Sequence, residues 1–315
     1  MRTGISYMGH HNPKHLETDI RAMRDLKLDD VLVAAQENDF AYFNGKIQFT
    51  PKIAKDHGIR PVAIFWGALN LFGGGQSSMF LLDHPEGFQV NLDGSHLSHG
   101  CYVNPVCVAR IEQMIDTIAG FGFQGYFVDE PTQLKDCYCA SCRAKYREWH
   151  GGDLATAPED KKTAFRQKCV IEYVRTISDY CKANHPQLET MTCLMPHDRE
   201  MWAETAKISS LDNLGTDIYW VNSEDNIEDM VPIMNELESI CKKNKKIHHE
   251  WLQCWAARKG REQRILEQGR MFVKHPADVL YVWGWRGQIG TNESCDDPDT
   301  CWQYACDILK MAKNG

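Results

Sequence analysis

Along this chain, apolar runs of strand length closed by turn residues alternate with stretches whose apolar positions recur at helical spacing. Eight runs are predicted as strands, over residues 3–8, 30–35, 61–66, 123–128, 189–195, 213–220, 246–251 and 279–285. Helical stretches follow over residues 14–26, 50–57, 105–119, 159–184, 227–243, 262–273 and 300–311. In residues 105–119, Val108, Ile111, Ile115 and Ile118 share one helical face, and Pro51 is expected in the first turn of its helix. Eight predicted strands alternating with these helical stretches predict an α/β fold, a (β/α)8 TIM barrel filling one domain over residues 1–315. An open doubly wound sheet competes, but it would want a glycine-rich phosphate turn after the first strand, and Gly4 and Gly9 do not make one.

Between residues 67 and 104 neither period is sustained; Gly73-Gly74-Gly75, His84-Pro85, His96, His99 and Cys101 are scattered there instead. A stretch this long inside a compact fold is expected to be a functional loop or lid, with a disordered insertion as the alternative.

Composition narrows the partners. A formal charge of -8 and a pI near 5.9 argue against a nucleic acid or an anionic membrane, since either would call for a basic face. The densest basic cluster, Lys242, Lys243, Lys245 and Lys246, reads as the solvated end of a helix. No apolar run is long enough to span a membrane, and residues 1–11 lack a signal peptide's apolar segment, so a cytoplasmic protein is expected if Met1 is native. Thirteen cysteines, an odd number scattered through predicted helices and strands, suit reduced thiols better than a disulfide framework. Cys295 and Cys301 are the pair least firmly expected to be free, and the oligomeric state is open.

In a barrel all strand tips open on one face, whatever their separation in sequence. The tips here carry His10 and His11, Glu37 and Asp39, Trp66, Asp129 and Glu130, His197 and Asp198, Tyr219 and Trp220, Glu250 and Trp251, and Trp283 and Trp285. Acids, histidines and tryptophans dominate, and the near absence of Arg and Lys argues against phosphate or anionic substrates. Two carboxylates on the fourth and seventh strands, with an aromatic rim on which sugar rings stack, fit glycosidic bond cleavage: one acid protonates the leaving oxygen and the other attacks or activates water.

Glu130, between Asp129 and Pro131, resembles the acid/base of the clan A glycoside hydrolases, retaining barrel enzymes with Asn-Glu-Pro at the tip of the fourth strand. The resemblance implies a retaining double displacement on β-linked sugars, with Glu130 as acid/base and Glu250, in Ile-His-His-Glu-Trp, as nucleophile. Tyr219 and Trp283 stand where the clan has a tyrosine touching the nucleophile and a tryptophan flooring the sugar site. Asp129 replaces the usual asparagine and puts two acids side by side, which raises the pKa of one of them. Asp129, Trp66, His10, His248, Trp251, Trp285 and Glu37 are further expected substrate contacts, and no catalytic cofactor is implied.

Cys137, Cys139 and Cys142, in Cys-x-Cys-x2-Cys, read as a structural zinc knuckle short of one ligand, which Cys101, Cys107 or a loop histidine would supply. Family 42 β-galactosidases are similar in carrying a cysteine-bound zinc near this loop. Unliganded thiols or a local disulfide are the alternative. Two other functions stay open: a barrel that binds carbohydrate without cleaving it, and a metal-dependent hydrolase with its metal among His10, Asp129, His248 and Glu250.

Overall fold

The predicted alternation closes into a barrel of eight parallel strands in a computed structural model, which describes residues 1–74, 77–131 and 137–314. The barrel strands are Arg2–Tyr7, Asp30–Ala34, Arg60–Ile64, Gly125–Val128, Glu189–Cys193, Asn213–Thr216, Ile247–Gln253 and Val279–Trp283. Each pairs with the next in chain order, and Arg2 opposite Val279 closes the ring. Helices pack outside it, among them Pro13–Asp25, Pro105–Phe121, Glu159–Asn184, Met230–Asn244, Glu262–Lys274 and Pro298–Asn314.

Alternation along each strand sorts side chains into two cores. Leu32, Val62, Ile64, Phe127, Met191, Trp251 and Tyr281 fill the barrel interior. The residues between them, such as Val31, Val33, Ala63, Tyr126, Leu252 and Val282, meet the helices in a larger outer core. Gly215 faces inward because a Cβ there would run into the His249 ring, so a neighbouring imidazole occupies the space of a side chain.

The end of the barrel away from the strand tips is plugged by charge. Arg2 and Arg60 bridge Asp30 and Glu189, while the Tyr281 hydroxyl donates to Asp30 at 2.9 Å. Burial opposes the charge on Glu189, yet Arg60 and Arg2 outweigh it and hold the carboxyl below its usual range. No lipid-length apolar helix occurs among the described residues.

Several expectations change. Pro51 lies inside the helix Gly45–Asp56 rather than in its first turn, and a further helix, Ala140–His150, follows the cysteine knuckle. Residues 67–104 hold short helical turns and an antiparallel hairpin of Phe88–Val90 with His96–Gly100 instead of unpatterned loop. Gly75 of the glycine run and residues 132–136 lie outside the described residues. All thirteen cysteines, Cys295 and Cys301 included, are free and buried.

Candidate active site

The segments leaving the strand tips surround a cleft of about 370 Å3, counting the space open to solvent. Asp129 and Glu130 enter it from the fourth strand, Asp217 and Tyr219 from the sixth, and Trp283 and Glu293 from the eighth; Trp66 and Trp255 complete the walls.

Inward alternation places the acids. Phe127 points into the barrel, so Asp129, two residues on, does too; Asn213 and Gly215 set the same phase for Asp217. Glu130 then turns with a φ of 40°, a left-handed conformation costing about 1 kcal/mol or more in a non-glycine residue. Its backbone N–H points at the Cys193 sulfur, 3.4 Å away. That turn brings the Glu130 carboxyl to the part-exposed lip of the cleft, while Asp129 and Asp217 stay buried beneath it.

The long third loop is docked on these acids. Gly73 N–H donates to the Asp129 carbonyl at 2.9 Å, and a Cβ on Gly73 would lie 2.7 Å from Asp129 Oδ2, so glycine is what lets the backbone come so near. Gly74, at φ +108°, lies against the Trp66 indole. Glu37 anchors the same loop by accepting from Leu69 N, Ser78 Oγ and Phe80 N at 2.8, 2.6 and 3.2 Å. The carboxylate expected to touch substrate is a brace for the loop.

Electrostatically the cleft is one-sided. Burial, then the nearby Glu130 charge, pushes Asp129 well above the usual carboxylate range, and the same two causes raise Asp217, whose carboxyl lies within hydrogen-bond reach of Glu130. Glu293 is raised by burial and by Glu130. Burial beside the Glu130 charge thus favours a proton on Asp129 or Asp217. The Cys193 thiol, itself pushed well up by burial, sits 3.5 Å from Asp217 Oδ2 and 3.8 Å from Asp129 Oδ1 and acts as a neutral donor. Asp198, after the fifth strand beside the exposed His197, is also raised by burial and feels the Glu130 charge.

Of the residues expected from sequence, Asp129, Glu130, Trp66, Tyr219 and Trp283 meet in this cleft. Glu250 does not. The seventh strand runs on to Gln253, which makes Glu250 a mid-strand residue on the outward phase. His249 and Trp251 point inward, against Phe127 and Tyr281. Glu250 is fully buried on the other side, its Oε1 2.8 Å from His248 Nε2 and its charge felt by Cys241 of the helix Met230–Asn244. His248 faces a separate groove with Glu238, Lys274 and His275. A strand has period two, so a one-residue error in phase moved the whole set to the wrong face. Trp251 is core beneath Trp283, Trp285 packs on Tyr7 and Trp302, and His10 sits beside Asp19, Tyr7 and His15. The metal site imagined among His10, Asp129, His248 and Glu250 is therefore not assembled.

Asp217, Trp255 and Glu293 were missed. Asp217 was readable, since it follows Thr216 as a carboxylate at the strand tip; Trp255 and Glu293 come from loops whose path no periodicity encodes.

The cysteine cluster is assembled. Cys101, from the end of the hairpin, meets Cys137, Cys139 and Cys142, their sulfurs all within 4.8 Å of one another and buried. Cys101 lies 3.4 Å from Cys142 and 3.6 Å from Cys139 between sulfurs, too far for a disulfide. Hydrogen bonds within the cluster pull Cys139 below the usual thiol range and push Cys142 above it.

An eight-stranded parallel barrel with an acidic, tryptophan-walled cleft at its strand tips places the chain in the TIM-barrel class. No protein-family model matches it, and no curated protein matches it in sequence. Among solved structures it is similar to a β-galactosidase from the Antarctic haloarchaeon Halorubrum lacusprofundi (TM-score 0.77, 16% identity, 98% of this chain and 58% of that one). A β-galactosidase from the psychrophilic Marinomonas ef1 is also similar, with TM-score 0.71, 12% identity, 99% of this chain and 60% of that one. The PgaB (BpsB) glycoside hydrolase domain from Bordetella bronchiseptica matches over 98% of both chains, with TM-score 0.63 and 14% identity. The chain thus spans about three-fifths of the two galactosidases. At these identities the shared property is the barrel.

Proposed function

We propose that this protein is a glycoside hydrolase acting on β-linked sugars, with Glu130 as the general acid/base and Asp217 as the carboxylate opposing it. The observation that carries the reading is the meeting of these two carboxyls from different strand tips under aromatic walls, where burial and the Glu130 charge raise Asp217. Glu130, at the lip, is placed to reach a leaving oxygen. Asp217, below, is placed to meet the positive charge that grows on the sugar as the bond breaks. The similarity to barrel glycoside hydrolases supports the class, and the small cleft under the docked loop favours a short substrate or exo action. Glu130→Gln is expected to lower kcat on an aryl β-glycoside by ~10²–10⁴-fold. Glu250→Gln, outside the cleft, should leave it within a factor of a few. Equal losses in the two variants would show that Glu130→Gln acts through the fold rather than the chemistry, and no hydrolysis by the wild type would leave a barrel that only binds carbohydrate.

The same reading gives the four cysteines a structural zinc. Four sulfurs at ~2.3 Å from zinc form a tetrahedron with edges of roughly 3.8 Å, and the observed 3.4 and 3.6 Å need only slight opening. A site closed by four thiolates has no open position, so the ion would pin the loop after the fourth strand and take no part in the chemistry. One zinc per chain is expected by elemental analysis, with Cys142→Ser losing both the metal and thermal stability. A metal-free wild type that melts at the same temperature would rule this out.

A further inference from the structure

Three further cysteines gather apart from the four-cysteine cluster. Cys254 follows the seventh strand, Cys295 lies in the segment after the eighth, and Cys301 is in the first turn of the helix Pro298–Asn314. All three are free and buried. Cys295 is the common partner: the Cys254 and Cys301 thiols both hydrogen-bond its sulfur.

The loops after the seventh and eighth strands grip each other at two of these thiols. Gly287, after the eighth strand, points its backbone N–H at the Cys254 sulfur, and Ala257, after the seventh, does the same for the Cys295 sulfur. In return Cys295 N–H donates to the Gly287 carbonyl and Asp296 N–H to the Ala257 carbonyl, both at 2.9 Å. Cys301 instead belongs to its helix, its N–H donating to the Asp297 carbonyl at 3.1 Å. The crosswise pair is thus Cys254 and Cys295. Trp255 follows the first of them and Glu293 precedes the second by two residues, and both line the cleft. Ala256 N–H donates to the Glu293 carbonyl at 2.7 Å, so the two walls already move as one.

We propose that Cys254 and Cys295 are an oxidation site: hydrogen peroxide closes them to a disulfide that clasps the two loops carrying Trp255 and Glu293 into the cleft. The Cys295 sulfur attacks one peroxide oxygen, the O–O bond breaks, and the other oxygen leaves as water with the thiol proton, giving a sulfenic acid. The Cys254 sulfur then displaces that hydroxyl, the S–S bond forms, and the hydroxyl leaves as a second water with the Cys254 proton. Two thiols and one peroxide become one disulfide and two waters. Cys295 reacts first because it is 3% exposed, against 0% for each of the other two. Hydrogen bonds from Cys254 and Cys301 also hold its thiol below the usual range although burial opposes them, and the thiolate is the nucleophile. The clasp does not rest on the glycosidase reading; its effect on turnover does.

Peptide mapping of the intact native protein after peroxide treatment and alkylation of the remaining thiols tests this. A peptide carrying Cys254 joined to one carrying Cys295 is expected, and dithiothreitol should release it. In Cys254→Ala the second step is lost, so dimedone should trap a sulfenic acid on Cys295. Oxidation should raise the melting temperature of the wild type relative to Cys254→Ala under the same treatment, because a cross-link between distant residues restricts the unfolded chain. Cys295 left as a free thiol, joined to Cys301 instead, or oxidised alike with and without Cys254 overturns the proposal. On the glycosidase reading, the disulfide should also change kcat/KM on an aryl β-glycoside by about twofold or more, since small displacements of positioning groups are felt in the rate. A mapped disulfide with kcat/KM unchanged keeps the oxidation site and overturns its hold on the cleft. A wild type that hydrolyses nothing defeats the glycosidase reading and leaves the mapping to decide the clasp.

Discussion

Asp217→Asn is expected to lower kcat on an aryl β-glycoside by on the order of a thousandfold while raising the protein's melting temperature at neutral pH. On the proposed mechanism, the loss follows from removing the carboxylate that would face the developing charge, with a side chain of the same shape left in its place. The gain in stability follows from burial. Asp217 is pushed above its usual range first by desolvation and then by Glu130. A carboxyl whose folded pKa is raised contributes stability that is complete below its unfolded value of ~3.9 and is lost as pH rises through the folded value. Asparagine does not titrate, so the difference in melting temperature between variant and wild type should widen from acid to neutral pH. A difference that does not change with pH would show that Asp217 is not held in a desolvated, repulsive cluster. Opposite movements of activity and stability at one residue are the expected mark of a site kept charged for function at the expense of the fold.

Arg60→Met is expected to destabilise the barrel by ~3–5 kcal/mol, the cost of breaking a buried ion pair from one side. Arg60 bridges Asp30 and Glu189 at the barrel floor, and its removal leaves two acids facing each other with only Arg2 between them. The direction with pH is opposite to that at Asp217. Glu189 is held below its usual range, so the stability it contributes is present above ~4.3 and is lost as pH falls through its lower folded value. Chemical denaturation at neutral and acid pH reads both effects, and the variant should lie closer to the wild type in acid. A cost under about 1 kcal/mol would mean that water reaches the floor and screens the network.

Both substitutions act on inward-facing positions, and it is there that sequence and structure part. The eight runs of the apolar pattern are the eight barrel strands, because burial on both faces leaves a long apolar signature that neighbours cannot disguise. Asp129 and Glu130 were readable because an acid pair followed by proline ends the fourth run, and the four cysteines because their spacing is itself a signal. Glu250 was misread for a physical reason: in a strand buried on both faces, hydrophobicity no longer marks which side is in. The phase is then decided by pairing with Asn213–Thr216 and Val279–Trp283.

The chain by itself thus determined that a barrel forms, where its strands begin and that acids crowd its tips, since local periodicity and turn chemistry act over a few residues. Only the tertiary structure decided which acids meet. Asp217 in place of Glu250, Glu293 and Trp255 arriving from loops, and Gly73 drawn onto Asp129 depend on strand phase and loop path. Those are settled by contacts between residues far apart in sequence.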